Sequence, residues 1–400
     1  MKNKKKALAI FSQLPFPHID GNRQKVFMHI GILSKHYDTH VIIITGEQPD
    51  NESIIFLEKN TSSYKIFTFP KWKSWVNVAK AIFSKTPLQV AYFYFNEVQS
   101  YIDVQLPKVD FVFCNLIRTV KYVQNHEIPK FHDMVDSISI NYKNSKDNVS
   151  SLFWKLIYNI EYKRLWEYEL QSIKKFNKTF LINYNEKKYW EEASKSEIVW
   201  LPNGVKDSLF EYAKKDKSYS NSVTFIGRID YQPNTDAVFW FLNNVYPHLD
   251  KNIDFIIIGA NPPIKLLNVI KELPNVKVTG FIEDPYLIIN SSLALISPMQ
   301  TGAGMQNKVM EGMALGKLNI VSSLAARAII HAKNGEHFIV EDDGKTIASI
   351  INEINNDSDK YANVGIQARV FMEQHYQWSN FEKILKNTIE SNVNNGNYSS

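Results

Sequence analysis

The stretch from Ser297 to Lys317 holds the densest set of residues able to do chemistry in this chain. An apolar run, Leu293 to Ile296, reads as a strand that opens into a loop carrying Gly302, Gly304 and Met305. A helical pattern follows from Gln306 and Asn307. Glycines let a backbone come close to a ligand, and exposed amides at a helix N-terminus favour anionic oxygens, so the junction has the make-up of a phosphate or pyrophosphate cradle. Lys308 adds a point charge there. Glu311, three residues later, shares its helical face and is a carboxylate suited to accepting hydrogen bonds from ribose hydroxyls. The same pattern also occurs in α/β proteins where the glycines only turn the chain and the Lys-Glu pair only decorates a surface.

A second constellation begins at Val223. The strand Val223 to Ile226 ends in Gly227-Arg228, putting a guanidinium suited to bidentate phosphate contact at the carboxyl edge of a sheet, where open α/β folds bind ligands. Asn234 or Asp236 is expected to cap the helix that follows. In the first half, the strand-to-helix loop Leu14 to Arg23 contains Gly21, either a point of close substrate approach or a plain turn glycine. Further on, Lys130 to Ser137 sets His132, Asp133 and Asp136 near one loop. General-base and sugar-hydroxyl roles are chemically open to them, and an N-cap role for one aspartate is the alternative.

These residues need a scaffold, and the chain has βαβ grammar. Ala7 to Phe11 reads as strand, Val26 to Leu33 as helix and Val41 to Thr45 as strand. Ser151 to Phe176 then has a long helical period before a strand at Phe180-Leu181-Ile182. After the polar stretch Lys214 to Ser222 the rhythm restarts. It runs through strand Val223 to Ile226, helix Asp236 to Val245, strand Phe255 to Ile258, helix Ile264 to Leu273 and strand Val276 to Thr279. Two Rossmann-like, parallel-sheet halves are therefore expected, with a boundary near Pro202-Asn203-Gly204. The tail ends in a helix, Asn380 to Ile389, and is expected to fray past Glu390.

Composition narrows the class. Four hundred residues with 44% hydrophobic content suffice for two domains with cores of their own. The single cysteine, Cys114, allows neither a disulfide framework nor a thiolate zinc cluster, and it reads as a small buried hydrophobe. The apolar stretch Ala7 to Phe11 is too short for a signal-peptide core, and no segment approaches about 20 apolar residues, so a cytoplasmic protein is expected. A net charge of +5 and the lack of any recognised nucleic-acid module argue against nucleic acid as partner. Lys71, Lys73, Lys80 and Lys85, interleaved with Trp72, Trp75 and Phe83, form either a lipid-facing patch or a solvated helix face. No period of 20 to 50 residues repeats, and no Gly-x-Gly-x-x-Gly follows the first strand, which disfavours a solenoid and a dehydrogenase.

At the residues above, the chain resembles the family 4 retaining glycosyltransferases of GT-B fold, especially bacterial exopolysaccharide sugar transferases. The likeness lies in Tyr231-Gln232-Pro233-Asn234-Thr235-Asp236-Ala237 and in Gln306-Asn307-Lys308-Val309-Met310-Glu311. It extends to Pro17 to Gly21, Val135 to Ser137, Pro202 to Val205 and Val278 to Gly280, in order along most of the chain.

The resemblance implies an α/β GT-B protein with two Rossmann-like domains facing a central cleft. Residues 1–202 would form the acceptor domain and 203–375 the nucleotide-sugar donor domain. Residues 376–400 would be a helix returning to the first domain, plus a frayed tail. Glu311 would hold the donor ribose, Arg228 and Lys308 would neutralise the diphosphate, and Gly302, Gly304, Met305, Gln306 and Asn307 would line the donor site. Phe281 and Ile282 would pass by the base, Gly21 would sit near the diphosphate, and catalytic roles would fall to Glu311, Asp136 and His132.

The implied reaction is hexosyl transfer from a UDP- or GDP-linked sugar to a glycan or polyprenyl-linked acceptor. It would proceed with retention, without metal or other cofactor, and with peripheral contact at the inner membrane surface as a further expectation. Two departures bear on this: Ala303 and Pro233 stand where the family often has a glutamate and a lysine. Two other readings remain, a non-catalytic nucleotide-sugar-binding partner subunit and a GT-B sugar-nucleotide epimerase.

Overall fold

The computed structural model describes residues 4–17, 21–145, 152–301, 306–327 and 329–395, with the side chains at 144–145, 152–158 and 395 excepted. The chain divides into two compact units, Met1–Pro202 with Glu382–Ser400, and Asn203–Phe381.

The first unit is built on strands β1 (Lys6–Phe11), β2 (Asp38–Thr45), β3 (Ser63–Thr68), β4 (Phe111–Asn115), β5 (Lys130–Val135), β6 (Lys178–Leu181) and β7 (Ile198–Trp200). They form one sheet in the order β3-β2-β1-β4-β5-β6-β7, with every pairing parallel. Its helices are α1 (Gly21–His36), α2 (Asn51–Asn60), α3 (Lys71–Ala81), α4 (Leu88–Tyr92), α5 (Asn96–Gln105), α6 (Ile138–Ser145), α7 (Leu152–Lys175) and α8 (Tyr184–Ser194). Parallel strands buried on both faces need near-continuous apolar runs. Ala7 to Phe11 and Phe111 to Cys114 supply them and are fully closed to solvent. Cys114 is one of these core residues.

The second unit carries β8 (Ser222–Ile226), β9 (Asp254–Ile258), β10 (Val276–Val278), β11 (Ala294–Ser297), β12 (Asn319–Val321) and β13 (Ile339–Val340). Their order is β10-β9-β8-β11-β12-β13, again parallel. The helices are α9 (Gln232–Asn244), α10 (Ile264–Ile270), α11 (Pro285–Ser291), α12 (Asn307–Ala314), α13 (Ser323–Ala326), α14 (Gly344–Asn356) and α15 (Ala362–His375). A last helix, α16 (Trp378–Asn395), starts in this unit, and its residues from Glu382 on count with the first. In both sheets the strand order reverses, between β1 and β4 and between β8 and β11. Such a reversal opens a crevice at the carboxyl ends of the two strands, where doubly wound sheets bind ligands.

Two local expectations are corrected. Helix α9 starts at Gln232, so Asn234 and Asp236 lie inside its first turns and cap nothing; Tyr231 holds the cap position without a side-chain bond. Pro233 sits in the first turn, where its missing N–H costs no hydrogen bond, and this lets the helix begin early. The last helix also continues past Glu390 to Asn395, because Val393 is buried and Lys5 donates to Asn394. Among the described residues no helix is long and apolar enough to cross a membrane.

Candidate active site

In the second unit, a cleft of about 340 Å³ opens where β8 and β11 diverge. It is lined by Gly227, Asn234, Met299, Gln306, Lys308 and Glu311, with Ile226, Tyr231, Pro233 and Asn307 completing its wall. Helix α12 points its N-terminus at this space. Gln306 occupies the cap position without a side-chain hydrogen bond, which leaves the first amides available to an anion. Gly312 lets α12 lie close on the sheet, since a Cβ there would come within 2.5 Å of Leu295 and 2.6 Å of Asn319.

Lys308 and Glu311 both face the cleft. The Lys308 ammonium donates to Asn234 Oδ1 at 2.6 Å and lies 4.2 Å above the ring of Phe225. Burial pushes it down to about 7. Burial likewise pushes the Glu311 carboxyl up to about 7, while Lys206 and a hydrogen bond from Tyr286 pull it back. A buried ammonium that meets no carboxylate among the described residues, and a buried carboxyl only partly offset by Lys206, are costly to keep. A ligand bringing a diphosphate and hydroxyl donors would relieve both.

Asn234, 7% exposed, connects the parts. Its amide nitrogen donates to the Arg228 carbonyl at 2.8 Å while its oxygen receives Lys308. It fits because position 227 is glycine: a Cβ there would approach Asn234 Nδ2 to 2.6 Å. Sequence reasoning missed Asn234, Tyr286, Lys206 and Met299. Asn234 had a signal, standing in the Tyr231 to Ala237 segment just after the Gly227-Arg228 strand end, but its type read as a cap. Met299 lay within the Ser297 to Lys317 stretch without an assigned role, and Tyr286 and Lys206 had no signal.

Arg228 does not line the cleft. Its guanidinium is exposed and forms a fork with Asp230, Nε to Oδ1 at 3.1 Å and Nη2 to Oδ2 at 2.9 Å. Phe281 and Ile282 follow β10, beside Gly280 at φ 70°, and Phe281 is 80% exposed. Gly302, Gly304 and Met305 lie outside the described residues, as does Ala303.

In the first unit, Gly21 opens α1. His132 stands in β5 with its ring fully enclosed and tilted against Phe176, and burial lowers it to about 4. A neutral imidazole sealed in the sheet reaches no substrate, so the catalytic role expected of His132 does not fit its place. Asp133 is equally enclosed and is bound by Lys25 at 2.8 Å and His29 at 3.0 Å. Burial would raise its carboxyl, but Lys25 and His29 hold it far below the usual range.

Asp136 differs, being partly exposed and raised by burial. Just before it, Val135 has φ 68°, a conformation that costs a β-branched residue energy, and the register with β6 shifts between Asp133 and Val135. Behind this turn Glu169 accepts from the amides of Ile138 and Ser139 at 2.8 and 3.3 Å, and Glu186 from that of Ser137 at 2.7 Å. These two acids hold the start of α6.

Residues 220–357, which contain the whole cleft lining, match the family described as glycosyl transferases group 1. The chain is similar to HepE of Anabaena, solved in complex with UDP, at 13% identity and a TM-score of 0.67, covering 96% of this chain and all of that one. It is also similar to sucrose-phosphate synthase of Thermosynechococcus elongatus, at 12% identity and a TM-score of 0.67, over 97% of this chain and 99% of that one. At such identities these likenesses are of fold. Fold and group 1 domain together define a GT-B glycosyltransferase. Among sequences, an uncharacterized 44.6 kDa protein in the cps region of Klebsiella pneumoniae is 21% identical over 408 residues, covering 93% of this chain and 96% of that protein.

Proposed function

We propose that this glycosyltransferase moves a hexose from a nucleotide-diphosphate sugar, UDP- or GDP-linked, onto a cell-envelope glycan or lipid-linked oligosaccharide, with retention and without a metal ion. The observation that carries the reading is the pair Lys308 and Glu311, charge-perturbed in the same direction of need, at the carboxyl-edge crevice of the second sheet. The cps-region relative supports a polysaccharide product, and HepE supports a UDP-type donor.

In this reading the open amides of α12 and the Lys308 ammonium take the diphosphate, stabilising the charge that grows as the leaving group departs. Glu311 accepts from the ribose hydroxyls. Gly302, Gly304 and Met305 are assigned to the donor site by the family resemblance alone, and Phe281 offers a face to the base. The sugar–phosphate bond breaks as the acceptor oxygen bonds to the same carbon from the same face. The acceptor proton passes to a phosphate oxygen, and the nucleoside diphosphate carries it away. Asp136 binds acceptor hydroxyls. The acceptor being an envelope glycan, the enzyme acts in the cytoplasm at the inner face of the membrane.

Calorimetry of UDP, GDP and ADP with metal chelated, on wild type and on Glu311→Ala and Lys308→Met, tests the donor assignment. One nucleotide should bind wild type, and each variant should lose about 10- to 100-fold, the range for hydrogen bonds to charged groups. Equal binding by the variants would place the donor elsewhere. Donor binding with no transfer to any lipid-linked or glycan acceptor would replace the reading with a non-catalytic subunit, and an inverted anomer seen by NMR would remove the retaining step.

A further inference from the structure

Helix α3 is amphipathic the wrong way round for a protein surface. Its inward residues are Ser74, Val78 and Ala81, whereas the side facing solvent carries Trp72, Trp75, Val76 and Ala79. Those positions recur at three- and four-residue spacing, and the stripe runs on through Ile82 and Phe83 in the turn that follows. Trp72 and Trp75 are 63% and 62% exposed and Phe83 is 96% exposed. A soluble surface tolerates single apolar side chains, but a contiguous stripe of large ones marks a contact.

The charge around the stripe says what kind. Lys71, Lys73, Lys80 and Lys85 flank it, and no aspartate or glutamate occurs in the sequence between Glu58 and Glu97. Beside the helix lies a cavity of about 410 Å³ lined by Asn77, Lys80, Ser84, Asn96, Tyr94 and Lys121, among others, with no carboxylate in its wall. The turn is held firmly, since Arg164 donates to the Ile82 carbonyl at 2.5 Å and Asn77 to the Tyr94 carbonyl at 2.9 Å.

We propose that α3 and the Ile82–Phe83 turn form a docking surface for an anionic phospholipid membrane, with a lipid phosphate seated in the cavity that Lys80 and Lys121 line. Tryptophan and phenylalanine in such a stripe enter the headgroup–acyl boundary, while lysine stems lie along it with their charges outward. Acid-free basic segments of this kind are drawn to negative leaflets. The inference stands on exposure and charge in the first unit and needs nothing from the donor assignment in the second.

The test is sedimentation of the full chain with vesicles of phosphatidylcholine alone or mixed with phosphatidylglycerol. Wild type should pellet with the anionic vesicles, less at high salt, and stay in solution with the neutral ones. Trp72→Ser combined with Phe83→Ser should abolish pelleting, and Lys80→Ala with Lys121→Ala should weaken it by roughly fivefold per lysine. Thermal unfolding and nucleotide affinity should be unchanged in all these variants, separating this result from any failure of the donor reading. Absence of wild-type binding, pelleting indifferent to the Trp72 and Phe83 changes, or self-association that those changes abolish would each overturn the proposal.

Discussion

In the first unit, Lys25 and His29 both bind Asp133, and all three side chains are sealed from solvent. In the second, Lys308 and Glu311 are also desolvated, but Lys308 donates to the neutral Asn234, Glu311 has only the pull of Lys206 and a hydrogen bond from Tyr286, and both line a cleft. Burial disturbs both clusters. The first satisfies its charges internally, and Asp133 is held ionised. The second shifts both groups toward their neutral forms, each to about 7. Strong desolvation alone therefore does not mark a working site; the discriminating features are a counter-charge too weak to offset burial and an open wall.

The contrast can be broken most severely in the first unit. Removing Lys25 as Lys25→Met strands a buried carboxylate and should lower stability by about 3–5 kcal/mol, read by thermal unfolding. Because Asp133 is held below its unfolded value, its contribution is present at neutral pH and lost as pH falls through the acid range, so the variant should also show a flatter acid limb. Lys308→Met, by contrast, removes a cation without stranding an opposite charge, and should leave stability unchanged or raised.

Asn234→Ala gives a smaller effect and sharpens the comparison from the other side. It removes the hydrogen bond that aims Lys308, and with it the link to the Arg228 carbonyl. A net loss of about 1 kcal/mol, near fivefold in nucleotide affinity, is expected by calorimetry, with the Asn234→Asp variant distorting the pH profile instead. Smallest is Arg228→Ala. Its guanidinium is exposed and already forked to Asp230, so nucleotide affinity should fall by less than about fivefold.

Much of this was legible in the chain because it depended on local pattern. Continuous apolar runs between helical periods announced two parallel sheets, and the glycine-bearing junction before Asn307 announced the helix end that faces the cleft. His132 and Asp136 were indistinguishable in sequence, four residues apart in one polar-apolar stretch. What separates them is that β5 is central, which buries His132, while the turn at Val135 releases Asp136 toward the surface. Tyr286 and Lys206 reach Glu311 from segments remote in sequence, and no spacing rule connects them. Asn234 was hidden by its type, since asparagine near a helix start reads first as a cap.

The central claim is that Lys308 must be charged and Glu311 ionised for the cleft to hold a nucleotide diphosphate. Both titrate near 7 in the free protein. Binding must take up a proton at Lys308 above that pH and release one from Glu311 below it, so UDP affinity measured calorimetrically from pH 5 to 9, without metal, should peak near 7 and fall on both sides. Glu311→Gln should lose the acid limb and Lys308→Met the alkaline one. A flat profile, or variants that keep both limbs, would contradict the assignment of the donor site to these two residues.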